Sequence, residues 1–167
     1  MSRTESLLGS AAFLILAPGT IAGLLPWLIR RWSPPSPLLE GPLPTLAGVL
    51  LCLAGLAGLI ACFLRFAWQG RGTPAPIAPP VVLVVTGLYR HVRNPMYVAV
   101  TALILGQALV FASPWTLAYG AVIWALFHAF ILTYEEPTLR RSFPHQYGAY
   151  VSNVPRWLPR LKPWSPP

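Results

Sequence analysis

Acid is what this chain has least of. Its 167 residues include four Asp+Glu, all glutamates, against 12 Lys+Arg, and charged residues make up 10% of the whole while hydrophobic ones make up 55%. So little charge excludes a soluble domain of ordinary make-up, in which roughly a quarter of residues are charged, and assigns the chain to the integral membrane proteins. The four acids, Glu5, Glu40, Glu135 and Glu136, lie near the ends of apolar runs. An ion-coupled transporter keeps a carboxylate deep within a span, so a small four-span transporter or binding subunit is the weaker alternative to an enzyme. Cysteine is also scarce. Cys52 and Cys62 share one apolar run, on different faces of a helix, as packed thiols and not as a disulfide or metal pair. No metal is expected. The net charge of +8 is not gathered into an alternating basic and aromatic surface, so the anionic leaflet of a bilayer is the expected partner and nucleic acid is not.

What the chain does have is apolar length. Four runs are near the 20 residues a bilayer crossing needs: about 7–29, 43–67, 95–112 and 114–134. The reading is an all-α membrane protein of one domain, 1–167, with four transmembrane helices, a loop over 69–94 and a C-terminal segment over 135–167. Pro18-Gly19 predicts a kink in the first span. That span is too long, and lacks a clean small-x-small site, for a cleaved signal peptide. Ser113-Pro114 starts the fourth span and makes a tight hairpin with the third. Ten of the 12 cations fall on one side and only Arg30 and Arg31 on the other, which places both termini and the loop in the cytoplasm of a cell inner (plasma) membrane. In the second span, Ala54/Gly58 and Ala57/Ala61 have the spacing that lets membrane helices approach closely.

Chemistry is expected where the third span begins. Asn94 is a good N-cap and Pro95 suits the first helical position. The first amides of that helix, beside Arg90, His91 and Arg93, suit an anionic group. The fourth span ends in Thr133-Tyr-Glu-Glu-Pro137, where Pro137 must kink or stop the helix. The antiparallel hairpin then brings Arg93-Asn94 to Glu135-Glu136. One glutamate serves an arginine structurally, Glu136 being the candidate, and the other is free for a ligand. His128, about 10 Å deeper than Glu135 at the standard rise, is either a general base or a neutral histidine bonded to Gln107 or a backbone carbonyl. His91 and His145 read as exposed, Trp157, Arg160, Lys162 and Trp164 as an interfacial anchor. The long connector containing Gly70 and Gly72 has the character of a binding loop.

These residues also carry a resemblance. Gly87-x-Tyr89-Arg90-x-x-Arg93-Asn94-Pro95-x-Tyr97, followed by Glu135-Glu136-x-x-Leu139-x-x-x-Phe143-x-x-x-Tyr147-x-x-Tyr150-x-x-x-Val154-Pro155, resembles the membrane methyltransferases that include isoprenylcysteine carboxyl methyltransferase and the phospholipid N-methyltransferases. The likeness covers about 70–160. It implies methyl transfer from S-adenosylmethionine to a lipophilic acceptor, either a small lipophile or a phospholipid headgroup. It implies cofactor contacts from Val81, Val82, Leu83 and Val84, from Tyr89, from Asn94, Pro95, Met96 and Tyr97, and from Glu135. To these the chemistry of the residues adds Arg93 for the cofactor's carboxylate, with Glu136 beside it. The cofactor site is thus formed by the loop before helix 3, the end of helix 4 and the C-terminal segment. Ile131 stands where prenylcysteine-specific members carry arginine, so the resemblance implies a neutral or amine-bearing acceptor.

Overall fold

A computed structural model describes residues 15–69 and 83–165. Among the described residues the regular structure is all helical, with no strand. A π-helical turn, Thr20–Leu24, leads into α1, Leu25–Trp32. Helix α2 is Pro42–Gln69, α3 is Pro95–Val110 and α4 is Pro114–Phe130. A second π segment, Ile131–Glu135, continues α4 into α5, Glu136–Ser142, and α6 is Pro144–Asn153. A 3₁₀ turn, Gly87–Arg90, precedes α3.

By length and composition, two helices can cross a membrane, Pro42–Arg65 and Pro114–Ser142. The 16 residues of α3 reach only about 24 Å, short of a hydrocarbon core of roughly 30 Å. Residues 7–14 of the first expected span lie outside the described residues. The outward faces of the long helices are apolar: Leu46, Leu50, Leu53, Leu56, Ile60 and Leu64 on α2 are exposed, as are Val122, Leu126 and Leu132 on the α4 rod. Continuous apolar surface of this extent suits lipid and not water.

Between α2 and α3 the backbones nearly touch, and the residues responsible differ from those expected. Ala54 and Ala57 face outward. The contact runs instead through Gly48, Cys52 and Gly55 of α2 against Ala99, Leu103 and Gly106 of α3: a Cβ on Gly55 would lie 2.8 Å from the Ala99 carbonyl oxygen, and one on Gly106 2.7 Å from that of Gly48. Both thiols are free, Cys62 buried and Cys52 donating to the Leu103 carbonyl at 3.8 Å. The spacing of four in the sequence found this face only in part: Gly58 lies opposite Ala99, where a Cβ would be 3.5 Å away, while Ala54 and Ala57, as small as the residues that make the contact, face outward.

Prolines account for both wide turns. Pro26 has no N–H for the carbonyl of Ala22, and the π turn before it leaves backbone acceptors without a helical donor. Gln107 donates to Ala22 O at 2.6 Å and Tyr119 to Ile21 O at 2.8 Å, so α3 and α4 satisfy what the first helix cannot. At Pro18-Gly19, where the sequence predicts a kink, Gly19 keeps helical φ and ψ, and the irregularity lies just beyond it in the π turn. At the other proline the helix neither stops nor breaks: Glu136 N bonds to Ile131 O, five residues back, and the rod continues through Pro137 as α5.

The two ends of the bundle are distinct. At one, Ser33 Oγ lies 3.2 Å from Ser113 Oγ, and Ser36 N donates to Ala112 O at 2.8 Å. At the opposite end a second small core of Tyr147, Tyr150 and Val154, joined by Leu83, Val85, Leu139, Phe143 and Trp164, fixes α5, α6 and the segment after them against the loop before α3.

Candidate functional site

The starts of α3 and α4 show the same Asx/Ser-then-proline signal with different outcomes. Ser113 caps α4: its Oγ accepts from Thr116 N at 3.2 Å and from Thr116 Oγ1 at 2.9 Å. Asn94 stands at the N-cap position of α3 but makes no side-chain cap bond; its Nδ2 donates to the carbonyl of Arg156 at 3.2 Å. The expected cap is therefore absent. Val98 N is the first amide of α3 with a backbone partner, so among the described residues the amides of Met96 and Tyr97 have none. Uncapped amides at the positive end of a helix dipole attract an anion.

Opposite them stand the two glutamates, with separate duties. Glu136 is buried and fully paired: Arg93 NH1 reaches Oε1 at 3.0 Å, and Arg156 grips the carboxylate through Nε to Oε1 at 2.7 Å and NH2 to Oε2 at 3.1 Å. Glu135 takes one hydrogen bond among the described residues, from Tyr97 OH at 3.1 Å. The Tyr97 ring is braced by Phe127, centroids 4.7 Å apart. Arg93 is 9% exposed, and its Nε is buried with no partner among the described residues. An orphan donor of this kind, beside free amides and a carboxylate with spare acceptor capacity, has the donor set for the amino-acid part of a zwitterion.

Around this centre the backbone is tied down by residues beyond α6. Arg93 N donates to Pro155 O at 2.9 Å, Arg160 N to His91 O at 2.9 Å and Trp164 N to Arg90 O at 3.0 Å. Arg90 returns Nε to Trp164 O at 2.7 Å and also bonds Ser165 Oγ. His91, expected to be exposed, is half-buried with Nδ1 2.8 Å from Arg160 O. Arg160 and Trp164, expected as a membrane anchor, serve as this strap. Tyr150 OH donates to Tyr89 O at 2.7 Å, and burial pushes the Tyr150 and Tyr89 hydroxyls above the usual phenol range, so both remain protonated. Gly87, at φ 56°, makes the turn into this loop with the Arg65 guanidinium packed where a Cβ would stand.

His128 sits apart from the glutamates. Its Nδ1 accepts from the indole of Trp157 at 3.1 Å, and its ring stacks on Trp124 at 5.3 Å. The partner is neither Gln107 nor a backbone carbonyl. With Nδ1 accepting, a neutral His128 carries its proton on Nε2 and acts as a donor, leaving no free lone pair for a general base.

Of the other expected site residues, Pro95 opens α3, Met96 packs against the main core, Leu83 belongs to the second core and Val84 is half-buried. Val81, Val82, Gly70 and Gly72 lie outside the described residues. Sequence reasoning missed Arg156, 20 residues from Glu136. No helical spacing links the two, and the only available signal was that a buried glutamate with one arginine had an unfilled second side.

A family model described as phospholipid methyltransferase matches residues 43–146. Protein-S-isoprenylcysteine O-methyltransferase B of Arabidopsis thaliana is 32% identical over 78 residues, which are 46% of this chain and 39% of that protein. The chain thus spans about two fifths of the length of the curated relative it matches. Arg93, Asn94, Tyr97, Glu135 and Glu136 fall within the family match, whereas Tyr147, Tyr150 and Arg156 lie beyond it.

Proposed function

The chain belongs to the phospholipid methyltransferase family, and on that basis we propose that it transfers a methyl group from S-adenosylmethionine to a lipophilic acceptor at the cytoplasmic face of the cell's inner membrane. One observation carries the reading: the start of α3 and the end of the α4 rod meet through Arg93–Glu136 and Tyr97–Glu135, leaving an orphan Arg93 Nε, two free amides and an under-used carboxylate in one place. The amides of Met96 and Tyr97, with Arg93, receive the donor's carboxylate. Glu135 accepts from its ammonium or ribose. Tyr89, Val84 and Tyr97 enclose the adenine together with Val81 and Val82, and Leu83 supports that wall from the second core. When bound, S-adenosylmethionine supplies an electrophilic methyl on a sulfonium, taken in line by the acceptor. The protein's part is alignment and exclusion of water, and His128 orients the acceptor through Nε2–H; an amine acceptor reacts as its free base, its ammonium proton having passed to bulk water before it enters the site.

The family's description favours an amine-bearing phospholipid headgroup, and position 131, filled by the fully buried and apolar Ile131, offers no cation to a carboxylate acceptor. The purified protein, incubated with extracted lipids and methyl-labelled S-adenosylmethionine, is expected to move label into the lipid phase. No lipid label, together with no calorimetric binding of S-adenosylhomocysteine, overturns the reading. Four crossings with both termini cytoplasmic belong to the same proposal, and a reporter fused after Pro167 that is active only outside the cytoplasm overturns that part.

A further inference from the structure

We infer that Arg156 is a positioning residue whose charge makes the donor site selective for ligands bearing a carboxylate, an inference that rests on the proposed function. The Glu136 carboxylate is shared by two guanidiniums, Arg93 at 3.0 Å and Arg156 at 2.7 and 3.1 Å. Within this trio one anion between two cations leaves one positive unit, with the Glu135 carboxylate beside it and Arg140 near enough to act on Glu136. Arg156 takes both carboxylate oxygens, whereas Arg93 shares one. Arg93 therefore keeps charge that Glu136 does not cancel, and its buried Nε stays unpartnered among the described residues. The backbone of Arg156 meanwhile accepts from Asn94 at 3.2 Å, fixing the residue before the free amides of α3. Without Arg156, Glu136 and Arg93 would neutralise each other one to one, and the α3 start would lose one unit of the positive charge that, with its free amides, attracts an anion. Arg156 itself touches no ligand and acts through Glu136 and Arg93.

The test compares two ligands on the full chain by calorimetry: S-adenosylhomocysteine, which carries the amino-acid carboxylate, and methylthioadenosine, which has the same nucleoside without it. Arg156→Gln is expected to weaken S-adenosylhomocysteine about tenfold, the size of one charge lost at close range, while methylthioadenosine stays within about twofold. Arg156→Lys, which keeps the charge, is expected to restore S-adenosylhomocysteine to within about threefold of wild type. Glu136→Gln adds one unit of positive charge and should shift the preference between the two ligands further toward S-adenosylhomocysteine. That opposite sign decides the matter even where Arg156→Gln fails to fold. Equal losses for both ligands in Arg156→Gln, or no shift of preference in Glu136→Gln, overturn the inference alone. A wild-type chain that binds neither ligand overturns the proposed function and this inference with it.

Discussion

Glu135 and Glu136 are neighbours in sequence with opposite fates. One is buried between two arginines, while the other has a single phenol to hold it. Their positions in sequence give no hint of this, because adjacent helical side chains diverge by about 100° and the partners come from other elements. The difference sets the first prediction. Glu135→Ala removes a charge-assisted ligand contact, worth about 1.5 to 3 kcal/mol, so S-adenosylhomocysteine should bind more than tenfold weaker, read by calorimetry, with little change in thermal stability. Tyr97→Phe should produce a smaller loss in the same direction, since Glu135 stays but swings free. A wild-type affinity in Glu135→Ala would move the donor's ammonium elsewhere. Tyr150 makes a different kind of bond, a neutral one to the Tyr89 carbonyl, and Tyr150→Phe should cost about 1 kcal/mol of stability. Because burial raises its pKa, that contribution is complete below the unfolded phenol's pKa of about 10 and fades only as pH rises beyond it. Melting temperatures of wild type and Tyr150→Phe should therefore differ by the same amount at pH 7 and pH 9.

At the scale of elements, the close approach of α2 and α3 rests on glycines that face backbone. A methyl on Gly55 or Gly106 would come within 2.8 Å of a main-chain oxygen, and main chain cannot rotate away as a side chain can. Gly55→Ala and Gly106→Ala should each lose about 1 to 3 kcal/mol, the usual penalty of overpacking, whereas Gly58→Ala should be near neutral because its nearest contact is 3.5 Å. Inactivation half-lives in detergent would rank the three, and an equal ranking would show that the helices slide apart readily. Much of this level was legible in the sequence. The helix starts at Pro95 and Pro114, the hairpin at Ser113 and the meeting of the Arg93 and Glu136 ends all stem from local proline chemistry and antiparallel connection. The interhelical face was legible only in part, because a helix this rich in Ala and Gly offers several stripes of equal smallness. The missing cap at Asn94 was not legible, because N-cap statistics describe a side chain with no better offer, and the Arg156 carbonyl made one.

For the molecule as a whole, the chain closes on itself after α6. Arg93 N–Pro155 O, Arg160 N–His91 O and Trp164 N–Arg90 O form a strap across the loop that leads into α3. None of these contacts has a periodic signature, and residues this rich in proline read as an irregular appendage. Their structural weight can be measured. Truncation after Val154 should leave α2, α3 and α4 associated, because their main core lies elsewhere. The amide of Arg93 should nevertheless pass from slow to fast hydrogen exchange, since its acceptor is gone, and S-adenosylhomocysteine binding should fall below detection. Retained protection at Arg93 would mean the loop is held by something other than the strap.

The wide turn at Ile131–Glu135 also governs which changes of chain length the site can tolerate. A π turn accommodates one residue more than an α turn, and each residue in a helix rotates the next by about 100°. Glu135 and Glu136 face Tyr97 and Arg93 with that extra residue present. Deleting Leu132, an exposed side chain with no role in the site, should let the segment relax to a regular helix in which the bond from Glu136 N to Ile131 O becomes an ordinary α-helical one, so both carboxylates keep facing α3. A deletion in the regular part of α4 has no such slack and would swing both carboxylates by about 100°, disabling the site as thoroughly as loss of Glu135 itself. Family members one residue shorter in this rod should accordingly carry the gap within Ile131–Glu135 and have a regular helix there.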